Sequence, residues 1–418
     1  MALLFKNARI LTMKDDKIFE GNIVVKGNRI VYIGNDYQGY APFEREIDCH
    51  KNLLMPGFKN PHAHSGMVFV GDLVRNVSLQ EWLFKYIFPR EDHLIPEDIY
   101  HLNKVAYLEY VSGGITAVFE HYFFPDYSAK AAEECGMRTL LLGTYDSKKT
   151  SVAKLVDNVH RYNDREDPLV RYLIGFHAEY TSDLEMLDKT KEAIDLAKTP
   201  FFTHISETQK EVDECVQRHG YTPAEFLYRK GLFAYGGGGY HCSHFTDEEV
   251  KIFKENNLTI VSCPGSNKQL ASGDAPLNKY FKEGARIALG TDGPASNEKL
   301  DMFYEMQLAV SNNGFETISP FEYLKMITVN GAIAMGMNDS DVLDIGKHAD
   351  IIMFDISKYN DDIIPNIVKN GSVNDVKLTM INGKVLYENG KYFFKESVEE
   401  INKKAQDVKN RIEAEMKK

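Results

Sequence analysis

The sequence has little of what marks a secreted, membrane or nucleic-acid-binding protein. Its 418 residues include one Trp and five Cys, namely Cys49, Cys135, Cys215, Cys242 and Cys263. The cysteines are odd in number, widely spaced and without a CxxC pair, which excludes a small disulfide framework and suggests a reducing compartment. No apolar run reaches membrane-spanning length, and the opening MALLFKNARILTMKDDK lacks the apolar core and small-residue cleavage site of a signal peptide. A cytoplasmic location without a membrane partner is the expectation. No Lys/Arg cluster interrupts a net charge of −12, which repels phosphate backbones and argues against nucleic acid. Small molecules remain as the partner class.

What is present is the composition of a globular protein, with 43% hydrophobic and 26% charged residues, in a chain long enough to bury a large core. Residues 1–52 and 342–395 share one texture. Short apolar strands alternate with turn signals, among them Gly27-Asn28, Asn382-Gly383 and Asn389-Gly390. They are expected to pair into one small β-sandwich domain, since domain termini often lie close together. Residues 53–341 differ, with apolar, β-branched runs separated by helical stretches. Eight strand candidates can be counted: 53–58, 115–119, 138–142, 171–176, 201–204, 233–235 continuing towards 241, 258–263 and 286–291. Eight such units predict a (β/α)8 TIM barrel in an α/β fold, with its chemistry at the C-terminal ends of the strands. Residues 396–418 read as a charged surface helix, opened by a capping box of Ser397 and Glu400. A symmetric homodimer is the generic expectation for the assembly.

The stretch NPHAHSGMVF sets His62 and His64 two apart after the first apolar run. In extended backbone both imidazoles face one side, as half a metal site or as two polar residues of a loop. The remaining candidates favour the first reading. His177 follows the fourth strand, His204 ends the fifth, His241 follows the sixth and Asp292 follows the eighth, so the set converges on one mouth. His62, His64, His204 and Asp292 supply three imidazoles and a carboxylate, a set that holds a catalytic divalent ion with a position left for water. Zn2+ is the expected ion, Fe2+ and Mn2+ accepting the same set. Strand four ends in FHAEY without a Lys that could carry a carbamate, which favours one metal. In THISETQ, Glu207 stands three residues after His204, either as a proton carrier beside the metal or as a helix-start carboxylate in a cap with Ser206.

In these motifs the chain resembles the amidohydrolase superfamily, in the branch of S-adenosylhomocysteine/methylthioadenosine deaminases, triazine chlorohydrolases and guanine deaminases. PGFKNPHAH looks like PGxxNxHxH, THISET like HxSE, YHCSHFTDEEV like the HC-x-H motif, ALGTDGPASN like GTDGxxSN and GKHADIIMFD like GxxADxxxxD. The resemblance spans nearly the whole chain. It implies metal ligation by His62, His64, His204 and Asp292, proton transfer by Glu207, polarisation of the attacking hydroxide by His241, and a second role for Asp292 as proton acceptor. It also implies substrate contacts from Glu91, on the ribose hydroxyls, and from His177 and Ser296. Two departures stand out. Glu179 in HAEYT replaces a Pro beside the substrate wall, and strand three ends in LLLGTYD, where an Arg for an amino-acid tail is usual. The run Gly236 to Gly239 has no reading from sequence alone.

The resemblance and the residues together point to a metal-dependent hydrolytic deaminase, a hydrolase of carbon–nitrogen bonds, acting on an aminated purine nucleoside or related N-heterocycle with release of ammonia. A guanine or pterin deaminase, or a cyclic amidohydrolase or chlorohydrolase, would use the same site. A non-catalytic scaffold on the same barrel would be expected to lack the ligands.

Overall fold

The structure, a computed structural model, describes residues 2–71, 77–359 and 362–417. Eight parallel strands lie in sequence order in one sheet. They are Phe58–Ala63, Ile115–Glu120, Arg138–Gly143, Val170–Ala178, Phe201–Ile205, Gly237–His241, Thr259–Ser262 and Arg286–Leu289, called here barrel strands one to eight. Strands one, two, three, five and seven are buried along their whole length, as parallel strands covered on both faces must be. Strand one meets the segment after strand eight where Ala63 bridges Asp292 and the Asp292 N–H donates to the His62 carbonyl at 3.0 Å. The interior is filled by Phe119, Leu142, Phe202, Tyr240 and Val261, packed with Ala332 and Met335. It is a packed core rather than a pore.

The terminal segments meet in a nine-stranded mixed sheet. Ala2–Leu11 pairs antiparallel with Ile18–Lys26 and parallel with both Phe43–Asp48 and Leu53–Pro56. Leu53–Pro56 then pairs with Ile351–Phe354, which leads through Val376–Ile381 and Lys384–Glu388 to Lys391–Tyr392. The turns at Asn382-Gly383 and Asn389-Gly390 hold both central residues at positive φ, as two-residue hairpins require.

Three expectations are corrected. The run Leu53 to Phe58 is not one barrel strand, because Leu53–Pro56 belongs to the mixed sheet and the barrel begins at Phe58. A continuous apolar run suits either sheet, so hydrophobicity cannot place the break. Barrel strand six does not start at Phe233, since Phe233 to Tyr235 is a turn; only the continuation towards His241 is strand, and it begins in the glycine run at Gly237. Gly237 has φ +125°, and a Cβ there would lie 1.9 Å from the Phe201 carbonyl oxygen; at Gly238 it would lie 2.2 Å from that of Thr259. The glycines let strand six approach strands five and seven this closely. Finally, the helix Val398–Glu415 carries the expected capping box but is not only a solvated surface. Its Val408 and Ile412 are buried against Met67, Trp82, Leu83 and Leu94, while Arg411 pairs with Asp98 and donates to the His93 carbonyl. Among the described residues no helix is long and apolar enough to cross a membrane.

The two sheets are joined by a buried ionic lock. Arg138, opening barrel strand three, donates from Nε and Nη2 to the two Asp350 carboxylate oxygens at 2.6 and 2.9 Å, and the Asn382 N–H adds a third bond at 2.7 Å. Burial would raise the Asp350 carboxyl, but the Arg138 charge and these hydrogen bonds hold it down to about 2, against an ordinary value of 3.8. Asp350→Asn leaves the guanidinium buried without a counter-charge and should cost roughly 3–5 kcal/mol in denaturant unfolding. Because the folded pKa is depressed, the ionic contribution is complete above the ordinary value and is lost as pH falls through about 2. The stability gap between wild type and variant should therefore narrow from about pH 4 downwards; a gap independent of acid would refute the lock.

Candidate metal centre and catalytic site

Barrel strand one puts His62 inside the strand and His64 just past its end, so their side chains face the same way. The His62 ring is fully buried and stacks on Tyr240 at 3.7 Å between ring centres. His64 Nδ1 is hydrogen-bonded to the His121 carbonyl, and His204 Nδ1, on strand five, to the His177 carbonyl at 2.6 Å. Each Nδ1 carries the hydrogen, and each Nε2 is left as a bare lone pair in the neutral ring. The two Nε2 atoms lie only 3.3 Å apart. Asp292 Oδ1 is 3.2 Å from both His62 Nε2 and His64 Nε2, and Oδ2 accepts from the Ser296 hydroxyl at 2.8 Å.

These residues fit a metal ion. One atom from each of His62, His64, His204 and Asp292 falls within 4.8 Å of the others. Separations of 3.2 to 3.3 Å are the edges expected between ligands at about 2.0 Å from a common centre. Both nitrogens of the buried His62 lack a hydrogen-bond partner, an expensive state unless a cation uses the lone pair. Burial pushes the His62 ring down to about 3 and His204 well below its ordinary value, so both are neutral donors. His64 is held above its ordinary value, against burial, by Asp292, and that shared proton is what a cation would displace.

Beside the cluster sit two further groups. Ser206 at φ +49° turns the chain after strand five, and Glu211 accepts the N–H groups of Ser206 and Glu207 at 2.8 Å each. The following helix Gln209–His219 is capped by Thr208. Glu207 is thus not a helix cap. Its Oε1 accepts from Ser272 at 2.9 Å, and its Oε2 lies 3.8 Å from His241 Nε2. Burial raises the Glu207 carboxyl above the ordinary range. His241 closes strand six at φ +66° and bonds through Nδ1 to Asn267 at 2.8 Å. Left-handed, non-glycine residues thus stand at or just beyond the ends of strands five, six and eight, with Asp292 at φ +58°; strain of this kind concentrates at functional sites.

The substrate candidates are placed less uniformly. The His177 ring lies 4.6 Å from that of His204 and 6.4 Å from Phe88, with Nδ1 on Thr181. Glu91 ends the short helix Phe88–Glu91 and accepts from the Tyr122 hydroxyl at 2.7 Å. Ser296 is bonded to Asp292 rather than standing free. Glu179 does not face a substrate wall with a free carboxylate, because Arg218 grips it through two nitrogens and His219 through a third at 2.8 Å. Sequence reasoning missed His121, whose buried ring lies 5.1 Å from that of His204 and has an unpartnered Nδ1. It directly follows strand two, so the strand-end rule would have found it. Asn267 and Ser272 carry no such signal.

A family model described as Amidohydrolase family matches residues 53–386. A 5-methylthioadenosine/S-adenosylhomocysteine deaminase of Caldanaerobacter subterraneus is 36% identical over 408 residues, covering 93% of each chain. A 5′-deoxyadenosine deaminase of Methanococcoides burtonii is 32% identical over 432 residues, covering 99% of each. The crystal structure of an adenosine deaminase from Xanthomonas campestris with bound zinc superposes with a TM-score of 0.90 at 26% identity, over 99% of this chain and 98% of that one. Protein purified without chelator should carry one divalent ion per chain by elemental analysis. His204→Ala should lose it on dialysis while retaining the fold; full retention would remove His204 from the ligand set.

Proposed function

This chain belongs to the amidohydrolase family, and on that premise we propose that it is a metal-dependent hydrolytic deaminase of adenine nucleosides, exchanging the ring amino group for oxygen with release of ammonia. The observation that carries this reading is the pairing of Glu207 and His241, 3.8 Å apart, beside the convergent nitrogens and carboxylate at the strand ends. The deaminase activities named for the two relatives support it. His62, His64, His204 and Asp292 would hold one ion, and zinc is the ion proposed, from the N3O donor set and from its presence in the Xanthomonas enzyme. When bound, such an ion supplies Lewis acidity and brings the pKa of water towards neutrality.

The rest of the work falls to side chains. The oxygen of water joins the amino-bearing ring carbon, the C–N bond breaks, and both water protons travel, one to the adjacent ring nitrogen and one to the departing amine. Asp292 and Glu207 carry these protons in this scheme. Burial favours the protonated form of Glu207, which suits it to donate to the ring nitrogen. Ser296 fixes the Asp292 carboxylate, and His241 orients the attacking oxygen through Nε2. His177 borders the base.

Glu91 is assigned to the ribose hydroxyls. Burial pushes its carboxyl up to about 7 against the Tyr122 hydroxyl, so it changes charge across the neutral range. The ionised form offers two charged acceptors to the ribose hydroxyls, whereas the protonated form loses the charge and turns one acceptor into a donor. KM for a nucleoside should therefore rise as pH falls from about 8 to about 6, and Glu91→Gln should flatten that dependence. Glu91→Ala should raise KM for the nucleoside ~10- to 100-fold and leave the free base almost untouched. Equal effects on both would remove Glu91 from the ribose site.

The assignment as a whole is tested by assaying ammonia from adenosine, 5′-deoxyadenosine, methylthioadenosine, S-adenosylhomocysteine, guanine and a pterin. Release from adenine nucleosides is expected; release only from guanine or the pterin would move the chain to another activity of the family. Thr144 and Tyr145 follow strand three, and the Arg218 cation is neutralised by Glu179. Nucleosides with an uncharged 5′ tail should thus show higher kcat/KM than S-adenosylhomocysteine.

A further inference from the structure

Barrel strand seven gives nothing to the four-residue cluster, yet the segment after it touches both Glu207 and His241. That segment runs from Cys263 through the helix Pro264–Gln269 to Gly273. Asn267 Oδ1 accepts from His241 Nδ1 at 2.8 Å, while its Nδ2 donates to Ser243 at 3.1 Å. The Ser272 hydroxyl donates to Glu207 Oε1 at 2.9 Å, and its N–H donates to the Asn267 carbonyl at 2.9 Å. The Ser272 carbonyl is held in turn by His244 Nε2 at 2.6 Å. Gly273, at φ +99°, lets the loop close on that ring, since a Cβ there would lie 2.8 Å from His244 Nε2. Asn267 and Ser272 are both 2% exposed.

We propose that Asn267 and Ser272 are positioning residues for the reaction, through which the strand-seven segment sets the tautomer of His241 and the rotamer of Glu207. The inference rests on the roles given above to those two groups. With the hydrogen on Nδ1 directed at Asn267, Nε2 is left as the His241 nitrogen that faces the reacting oxygen. With Oε1 tied to Ser272, Glu207 keeps Oε2 as its proton carrier, 3.8 Å from His241 Nε2. The terminal torsion of a Glu is broad and two-fold, so without this bond the carboxylate has no single orientation.

The test uses the metal-loaded enzyme with methylthioadenosine as substrate and metal content and thermal midpoint as controls. Ser272→Ala should lower kcat ~10- to 100-fold with KM and metal content little changed, and Ser272→Thr should restore most of the loss. In a Glu207→Gln background, Ser272→Ala should cost nothing further in residual turnover, because the residue it acts through is already disabled. Asn267→Ala should behave likewise, its loss vanishing in a His241→Gln background. Wild-type kcat in Ser272→Ala, or a loss that adds in full to that of Glu207→Gln, would overturn the proposal. Wild-type turnover in Glu207→Gln alone would instead remove the catalytic role of Glu207, and the proposal with it.

Discussion

The site exists because the barrel closes. Strands one and eight come from opposite ends of a long run of chain, and they are joined by the Asp292 N–H on the His62 carbonyl, at 3.0 Å. Asn60 and Thr291 reinforce the closure through two reciprocal bonds, at 2.7 and 3.0 Å. These are the Asn of NPHAH and the Thr of GTDG, motif residues that touch no ligand position themselves. Closure carries the Asp292 carboxylate to 3.2 Å from both His62 and His64. The left-handed φ of Asp292 is the local cost, of order 1–3 kcal/mol for a residue with a side chain, and the closed barrel sustains it.

Burial then sorts the titratable groups. Desolvation pushes His62, His177 and His204 towards the neutral form while Asp292 holds His64 above its ordinary value, and carbonyl oxygens at the neighbouring strand ends fix the hydrogen on Nδ1 of His64 and His204. The two carboxylates are driven apart. Burial would raise Asp292 too, but His62 and His64 hold it well below its ordinary value, whereas at Glu207 burial outweighs the opposing pull of His241 and the Ser272 hydrogen bond and the carboxyl rises. One carboxylate is kept ionised and the other is able to hold a proton, which is how neighbouring carboxyl groups come to divide acid and base work.

Much of this was legible in the sequence. The strand-end histidines, the eight βα units and the shared texture of the two termini announced a barrel with a second sheet, because burial and strand periodicity are local properties. What could not be read was decided by tertiary contact. The run Leu53 to Phe58 was divided between two sheets, and nothing in its hydrophobicity marks the break. Glu179 was expected to face substrate but found Arg218 and His219 on the helix behind it, and Asn267 and Ser272 gained meaning only from where strand seven ends. The glycine run was visible yet uninterpretable until the Phe201 and Thr259 carbonyls were seen to occupy the space of its missing side chains.

The division between strand and connection also bears on how relatives of this fold can share chemistry while differing in substrate. Every member of the four-residue cluster lies on a barrel strand or within three residues of its end, where a shift would disturb the sheet itself. Glu91 instead stands on a helical excursion after strand one, whose apolar residues Trp82, Leu83 and Leu94 are buried against Met67 and against Val408 and Ile412 of the C-terminal helix. Its position depends on packing between peripheral elements and on the Arg411 contacts with Asp98 and the His93 carbonyl. Substitutions there can move Glu91, and with it the proposed ribose contact, without touching the barrel. The proposed reaction is thus anchored in the part of the molecule least free to change, and the proposed ribose contact in a part held by side-chain packing and a few side-chain bonds.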